Sequence, residues 1–180
     1  AVRMGAKVIL VSAPTSLPIP SGVDFISVDS AVSMQEAVEA RYNDVNVVIM
    51  AAAVSDFRVL HKAEQKIKKM ESMTIELVKN PDILQGLGSK KSHQILVGFA
   101  AETEHVIKYG QDKVARKNLD MLVANDVSKS NAGFNVDTNE GYFLYPDKEP
   151  KEMPNMKKSE LARHILREVI DLVANKADIN

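Results

Sequence analysis

Val45-Asn46-Val47-Val48-Ile49-Met50-Ala51-Ala52-Ala53 is the stretch that decides the fold. From Val47 onward no polar side chain interrupts it, so a strand here is apolar on both faces, the pattern of a buried strand in a parallel sheet. It also ends in three small residues. Upstream, Lys7-Val8-Ile9-Leu10-Val11-Ser12 has the same two-faced character and predicts a strand interior to a parallel sheet, and Asp24-Phe25-Ile26-Ser27-Val28 is a shorter β run. Between them and Val45 lies a helix that Ser30 or Ser33 can cap, with Met34, Ala37, Val38 and Arg41 at helical spacing. Downstream, Gln94 to Ala100 and Asp120 to Ala124 are further strands, separated by a helix over Glu104 to Lys117. Strands alternating with helices predict βαβ units. The fold class is therefore α/β, with a mostly parallel, Rossmann-like sheet flanked by helices and a small β-hairpin excursion.

The remaining segments fill in around that frame. Ala1 to Lys7 reads as the last turn of a helix with Gly5 as its left-handed cap, so an upstream strand and loop are expected before this point. Residues 54 to 73 are polar, lysine-rich and aperiodic, and Thr74 to Val78 is a short strand. Asn80-Pro81-Asp82 predicts a helix start with Asn80 as N-cap, Pro81 in the first position and Asp82 in the first turn. Gly133 to Pro146 resembles a hairpin turning near Asn139-Glu140-Gly141, and Lys148 to Lys157 reads as a polar connection. Ser159 can cap a last amphipathic helix carrying Leu161, Ile165, Val169 and Val173. No repeat, low-complexity tract or domain boundary is visible, so residues 1–180 are expected to form one domain. Residues 54 to 73 and 128 to 140, polar and without a periodic apolar face, are expected to be mobile.

Composition narrows the function classes. The 180 residues, 19.8 kDa, 45% apolar and 26% charged, suit one globular domain that buries about 70% of its unfolded surface. A net charge of −1 argues against a dedicated nucleic-acid binder. No apolar run approaches the ~20 residues of a membrane span, which argues against a membrane partner. The absence of cysteine removes disulfides, thiolate metal sites and a thiol nucleophile, and fits a reducing compartment such as the cytoplasm. Only 8 residues are glycine, about 4%, against a usual value near 7%. That shortage counts at first against a phosphate-cradling loop. The four histidines are scattered without metal-ligand spacing, so no metal site is expected from the protein. No G-x-S-x-G, Walker or G-x-G-x-x-G motif is present, and the spacing of Asp56, Glu102 and Asp126 requires no carboxylate group.

In open parallel sheets ligands bind beyond the carboxyl ends of the strands, so the residues just past each strand are the ones to inspect. Ala51-Ala52-Ala53-Val54-Ser55-Asp56-Phe57 would let a ligand approach the backbone, with Asp56 accepting from a sugar or base; equally, it makes a tight turn with a solvated Asp. Lys66-Ile67-Lys68-Lys69 puts three cations in four residues, either a phosphate partner or a solvated charge run. Val78-Lys79-Asn80-Pro81-Asp82 runs a strand into a helix N-terminus, where free N–H groups suit a phosphate or a base edge, or where Asn80 simply caps. Phe99 can stack on a base or fill the core. Lys113 and Lys117 share a helix face at i,i+4 spacing and also complement the helix dipole. Lysines plus strand-end polar groups suit the handling of a polyphosphate without covalent catalysis.

In their order these motifs, together with Val97-Gly98-Phe99-Ala100-Ala101-Glu102-Thr103 and Arg116-Lys117-Asn118-Leu119-Asp120-Met121-Leu122-Val123-Ala124-Asn125-Asp126-Val127, closely resemble bacterial phosphopantothenoylcysteine synthetase. The resemblance runs from the first residues to the last helix. It implies a two-step ligation. The carboxylate of 4′-phosphopantothenate attacks the α-phosphate of CTP, releasing pyrophosphate and leaving an acyl-cytidylate, and the amine of L-cysteine then displaces CMP. Mg2+ would accompany CTP, and the enzyme would be a homodimer with its substrate near the subunit interface. In many bacteria this enzyme is the C-terminal half of a bifunctional coenzyme A biosynthesis protein, so a flavin-dependent decarboxylase domain fused upstream is an implied partner. Carried over position by position, Met50, Ala51 and Ala52 meet the nucleotide through the backbone and Asp56 through its carboxylate. Lys66 is the catalytic residue, holding phosphates and the acyl-cytidylate. Val78, Lys79, Asn80 and Pro81 read the cytosine, Phe99 lies beside the nucleotide, and Lys113 and Lys117 close on it.

One departure is large. The family begins with a strand, a glycine-containing loop and a Ser-Asn-x-Ser-Ser-Gly-x-Met-Gly segment, none of which is in this sequence, so the domain is expected to be N-terminally incomplete. The glycine shortage then marks the absence of that segment. Two other readings stand beside the ligase. One is a generic dinucleotide-binding oxidoreductase, against which the lack of G-x-G-x-x-G counts. The other is a non-catalytic nucleotide-binding or dimerisation module.

Overall fold

A computed structural model describes residues 1–127 and 137–177. The chain opens with one tight turn, Val2–Met4, closed by Gly5 in the left-handed conformation at φ 88°, as the sequence predicts. β1 (Val8–Ser12) pairs in parallel with β2 (Val23–Ser27). α1 (Ala31–Glu39) follows, its start fixed by a reciprocal box in which the Ser30 hydroxyl accepts the Ser33 amide and the Ser33 hydroxyl accepts the Ser30 amide. β3 (Val47–Met50), β6 (Ile95–Glu102) and β7 (Met121–Asp126) form the parallel half of a five-stranded sheet, ordered β3-β6-β7-β8-β9. β8 (Thr138–Leu144) and β9 (Lys151–Lys157) extend it antiparallel, making the sheet mixed. A separate antiparallel pair, β4 (Phe57–Val59) with β5 (Leu77–Lys79), stands off the sheet.

Helices cover both faces of the sheet. On one side α1, α2 (Ile83–Ser89) and α3 (Val106–Arg116) pack a core of Met34, Leu84, Leu87, Leu96, Val114, Leu119, Leu122 and Leu144. On the other side α4 (Lys158–Ala177) lays Leu161, Ile165 and Val169 over Ile95, Val97, Met121, Val123 and Phe143. The result is a three-layer arrangement. Gly98 lies where both helices and strands crowd: a Cβ there would come within 2.8 Å of Leu84 and 3.0 Å of Leu119 and Leu122.

Several local expectations are corrected. β1 is not interior to the large sheet, because among the described residues it pairs only with β2, and its side chains are half-buried throughout. β3 is likewise an edge, with Ile49 exposed. Residues 54 to 73 are not wholly irregular, since β4 lies within them. The hairpin spans β8 and β9 and not Gly133 to Pro146. Asn139, Glu140 and Gly141 sit inside β8, at an irregularity in its register with β9. Lys148 to Lys157 is no simple connection, because Lys151 to Lys157 is the edge strand β9, where Pro154 is tolerated. α4 starts at Lys158, directly from β9, so Ser159 lies inside its first turn instead of capping it. Most of the 128–140 segment expected to be mobile lies outside the described residues.

Candidate functional site

An open cleft of about 670 Å³ runs between β1 and β3, with α1 along it. It extends past both strand ends to Ala13, Pro14 and Thr15 on one side and Ala51 to Ser55 on the other, and it reaches Asn80. The edges of β1 and β3 that face the cleft pair with no other strand among the described residues. Of the sequence-predicted residues, Met50, Ala51, Ala52 and Asn80 line this cleft. The two alanines are exposed, so the backbone they carry is open to a ligand.

Asn80 is buried to 8% exposure and is a structural hub. Its backbone N–H donates to the Asp56 carbonyl at 2.8 Å, and its side-chain amide donates to the Ser55 carbonyl at 2.8 Å. The guanidinium of Arg58 donates to the Asn80 side-chain oxygen at 3.2 Å and to the Lys79 carbonyl at 2.9 Å. Asn80 therefore does not cap α2, contrary to the sequence expectation. Its amide is committed to the loop after β3, and Asp82 takes the cap by accepting the Gln85 amide at 3.0 Å. Arg58 escaped sequence reasoning because it sits in a polar stretch whose pairing with β5 is not visible locally.

The other predicted residues are placed less closely together. Val78 is half-buried at the centre of β5, Lys79 is exposed, and Pro81 is half-buried. The carboxylate of Asp56 is exposed. Lys66 lies on the exposed coil between β4 and β5, and no contact among the described residues brings it to the cleft. Phe99 is half-buried and packs with the α4-side core, across the sheet from α2 and α3.

Lys113 and Lys117 are not free cations. Lys113 Nζ lies 2.5 Å from Glu102 Oε1 at the end of β6. Lys117 Nζ lies 3.0 Å from Asp82 Oδ1 and 2.9 Å from Oδ2. Partial burial alone would raise the Asp82 pKa, but hydrogen bonds from Lys117 and from the Gln85 amide outweigh it and hold the carboxyl below its ordinary value of 3.8. Sequence reasoning singled out the two lysines and missed what holds them. A close approach of α2 to the end of α3 sets the second pair. A Cβ on Gly88 would meet the Lys117 carbonyl oxygen at 2.0 Å, and the side chain of Asn118, itself left-handed at φ 51°, donates to the Gly88 carbonyl at 2.9 Å.

Chemically, the exposed backbone of Ala51 and Ala52 is open to a ligand in the cleft, whereas Lys113 and Lys117 are not among its lining residues. Among the described residues no group of three or more His, Cys, Asp or Glu side chains could hold a metal ion, and no helix is long and apolar enough to cross a membrane.

Residues 1–173 match the family described as DNA/pantothenate metabolism flavoprotein C-terminal domain. The chain is 47% identical over 174 residues to the coenzyme A biosynthesis bifunctional protein CoaBC of Bacillus subtilis, covering 96% of this chain and 43% of that protein. It is 43% identical to the CoaBC protein of Escherichia coli, over 94% of this chain and 43% of the relative. The chain thus spans less than half the length of these curated relatives. A crystal structure of the C-terminal domain of a CoaBC protein superposes with a TM-score of 0.81 at 39% identity, covering 97% of this chain and 78% of the other. A Cab2 variant in complex with phosphopantothenate-cysteine shares the fold, with a TM-score of 0.61 at 17% identity over 87% of this chain and 55% of the other.

Proposed function

The chain belongs to the DNA/pantothenate metabolism flavoprotein C-terminal domain family, and on that premise we propose that it joins 4′-phosphopantothenate to L-cysteine at the expense of CTP. The observation that carries this reading is the 47% identity with a coenzyme A biosynthesis protein across 96% of the chain. Residues 1–180 belong to one nucleotide-binding ligase domain.

The geometry suits such a reaction because nothing in it demands a protein nucleophile. Two substrates that carry phosphate must be brought together and negative charge stabilised as pyrophosphate leaves, which is positioning and electrostatics. Ala51 and Ala52 offer exposed backbone just past Met50 at a strand end, and Asn80 holds the loop beyond them. Val78, Lys79 and Pro81 flank Asn80 for reading the cytosine, Asp56 takes the nucleotide by its carboxylate, and Phe99 lies beside it. Lys113 and Lys117 bring charge from α3, and Lys66 from the coil meets the phosphates and the acyl-cytidylate. Magnesium would arrive as MgCTP, held by phosphate oxygens. Magnesium so bound neutralises charge on the phosphates. A second copy of the chain completes a homodimer, and the exposed apolar side chains of β4 and β5, Phe57, Val59 and Leu77, are candidates for its contact. A flavin-dependent decarboxylase domain in the same polypeptide, and the cytoplasm as compartment, belong to the same reading.

The test is pyrophosphate release from CTP. It is expected only when 4′-phosphopantothenate is present, with product formation then requiring cysteine. Release that ignores phosphopantothenate, or equal binding of CTP, ATP and NAD by calorimetry, rules the ligase out.

A further inference from the structure

We infer that Asp82 is a positioning residue that anchors Lys117 for the incoming nucleotide; this rests on the reading above that Lys117 meets CTP. Both oxygens of the Asp82 carboxylate lie within 3.0 Å of the Lys117 ammonium. The carboxylate cannot easily turn away, because Oδ1 also accepts the Gln85 amide at the start of α2. Both ends of the pair sit on packed elements. Asp82 caps a helix whose Ile83, Leu84 and Leu87 are buried, and Lys117 comes directly after the last turn of α3, where Gly88 and Asn118 lock the two helices together.

A lysine normally surrenders its rotamer freedom when it binds an anion. Here that ordering is already done in the free protein. The Lys117 side chain is only 20% exposed, less than its carboxylate partner at 36%. An ammonium has three donors, so a lysine held by one carboxylate keeps donor capacity for a phosphate oxygen. Asp82 is two residues from Asn80, which lines the cleft. One helical turn earlier, Glu102 at the end of β6 holds Lys113 in the same manner.

The helix-cap role of Asp82 can be kept while its charge is removed, because Asn and Ser cap as well as Asp. CTP should be titrated calorimetrically into wild type, Asp82→Asn, Asp82→Ser, Lys117→Ala and the Asp82→Asn/Lys117→Ala double variant, with melting temperature as the folding control. Asp82→Asn and Asp82→Ser are expected to raise the Kd for CTP about tenfold with little change in melting. In the Lys117→Ala background Asp82→Asn is expected to cost nothing more. Binding as tight as wild type, or tighter, in both neutral variants overturns the anchoring, since a carboxylate that merely competes with phosphate gives that sign. An equal loss with and without Lys117 overturns it as well. If Lys117→Ala leaves CTP binding untouched, the nucleotide role of Lys117 fails and the anchoring with it. A Lys117→Ala loss beside indifferent Asp82 variants overturns the anchoring alone.

Discussion

The side-chain amide of Asn80 donates to the Ser55 carbonyl across 25 residues of sequence, at 2.8 Å. This bond, with the Arg58 contacts, fastens the end of β5 to the loop that leaves β3. Asn80→Ala leaves a carbonyl without its donor in a part-buried position, a loss of about 1–3 kcal/mol. A melting temperature lower by several degrees is expected (about 2–4 °C per kcal/mol at this size), together with a raised KM for CTP. A variant that melts and binds as wild type does would show that the bond neither holds the loop nor shapes the cleft.

Lys66 stands at the opposite extreme, exposed on a coil and free of any packing role among the described residues. Lys66→Ala is therefore expected to melt within a degree or two of wild type while ligation falls about 100-fold, the scale of losing one charge-stabilising group. Steady-state turnover beside a thermal scan separates the two effects. Retained turnover would remove Lys66 from the catalytic role.

Stability toward acid should depend on Glu168. Its carboxylate accepts from the Tyr145 hydroxyl at 2.5 Å and pairs with Lys151. Burial pushes its pKa up, but Lys151 and Tyr145 prevail and hold it below the ordinary 4.5. A carboxyl lowered by folding stabilises the native state above the unfolded value and ceases to do so as pH falls through the folded one. Melting temperature is expected to drop as pH is lowered past about 4.5, and Glu168→Gln to flatten part of that slope. Burial, with the Glu168 bond and charge, also holds the Tyr145 phenol well above the usual 10, so its phenolate absorbance should stay absent as ordinary tyrosines titrate.

Gly88 tests the contact between α2 and the end of α3. The atom that an added Cβ would strike, the Lys117 carbonyl oxygen at 2.0 Å, is backbone and cannot swing aside. Gly88→Ala is expected to cost roughly 1–3 kcal/mol in urea unfolding and to weaken CTP binding by displacing Lys117. Normal stability in this variant would mean that the helices separate freely.

The edges of β1 and β3 that face the cleft pair with no other strand among the described residues, and each can accept a further strand. Fusing to Ala1 the segment that precedes the matched region in the Bacillus subtilis relative is expected to raise the melting temperature by several degrees. It should also slow amide exchange in Val8–Ser12 and Val47–Met50. Unchanged exchange in both strands would show that the cleft does not take a strand.

Much of the architecture was legible from short-range pattern. The apolar runs located β1, β2, β3, β6 and β7, and Ser30 with Ser33 marked the start of α1, because each signal is contained within one element. The pattern failed where an element draws its order from a distant partner. β4 and β5 are three residues each, with Phe57 at 55% and Leu77 at 56% exposure, so neither carries a burial signature. β9 reads Lys-Glu-Met-Pro-Asn-Met-Lys, and only its pairing with β8 makes it a strand.

The same division holds for the site. Which residue types are available, and in what order, is a local property, and it singled out the strand-end alanines, Asn80, Lys113 and Lys117 as candidates. Partnership is not local. Asp82 and Lys117 are 35 residues apart, and Asn80 reaches 25 residues back to Ser55. Ion pairs and hydrogen bonds act only over a few ångströms, and those distances exist once two cores have packed helices against both faces of the sheet. Spacing along the chain says that a lysine and a carboxylate are present; the packing of Gly88 against Lys117 is what makes them meet.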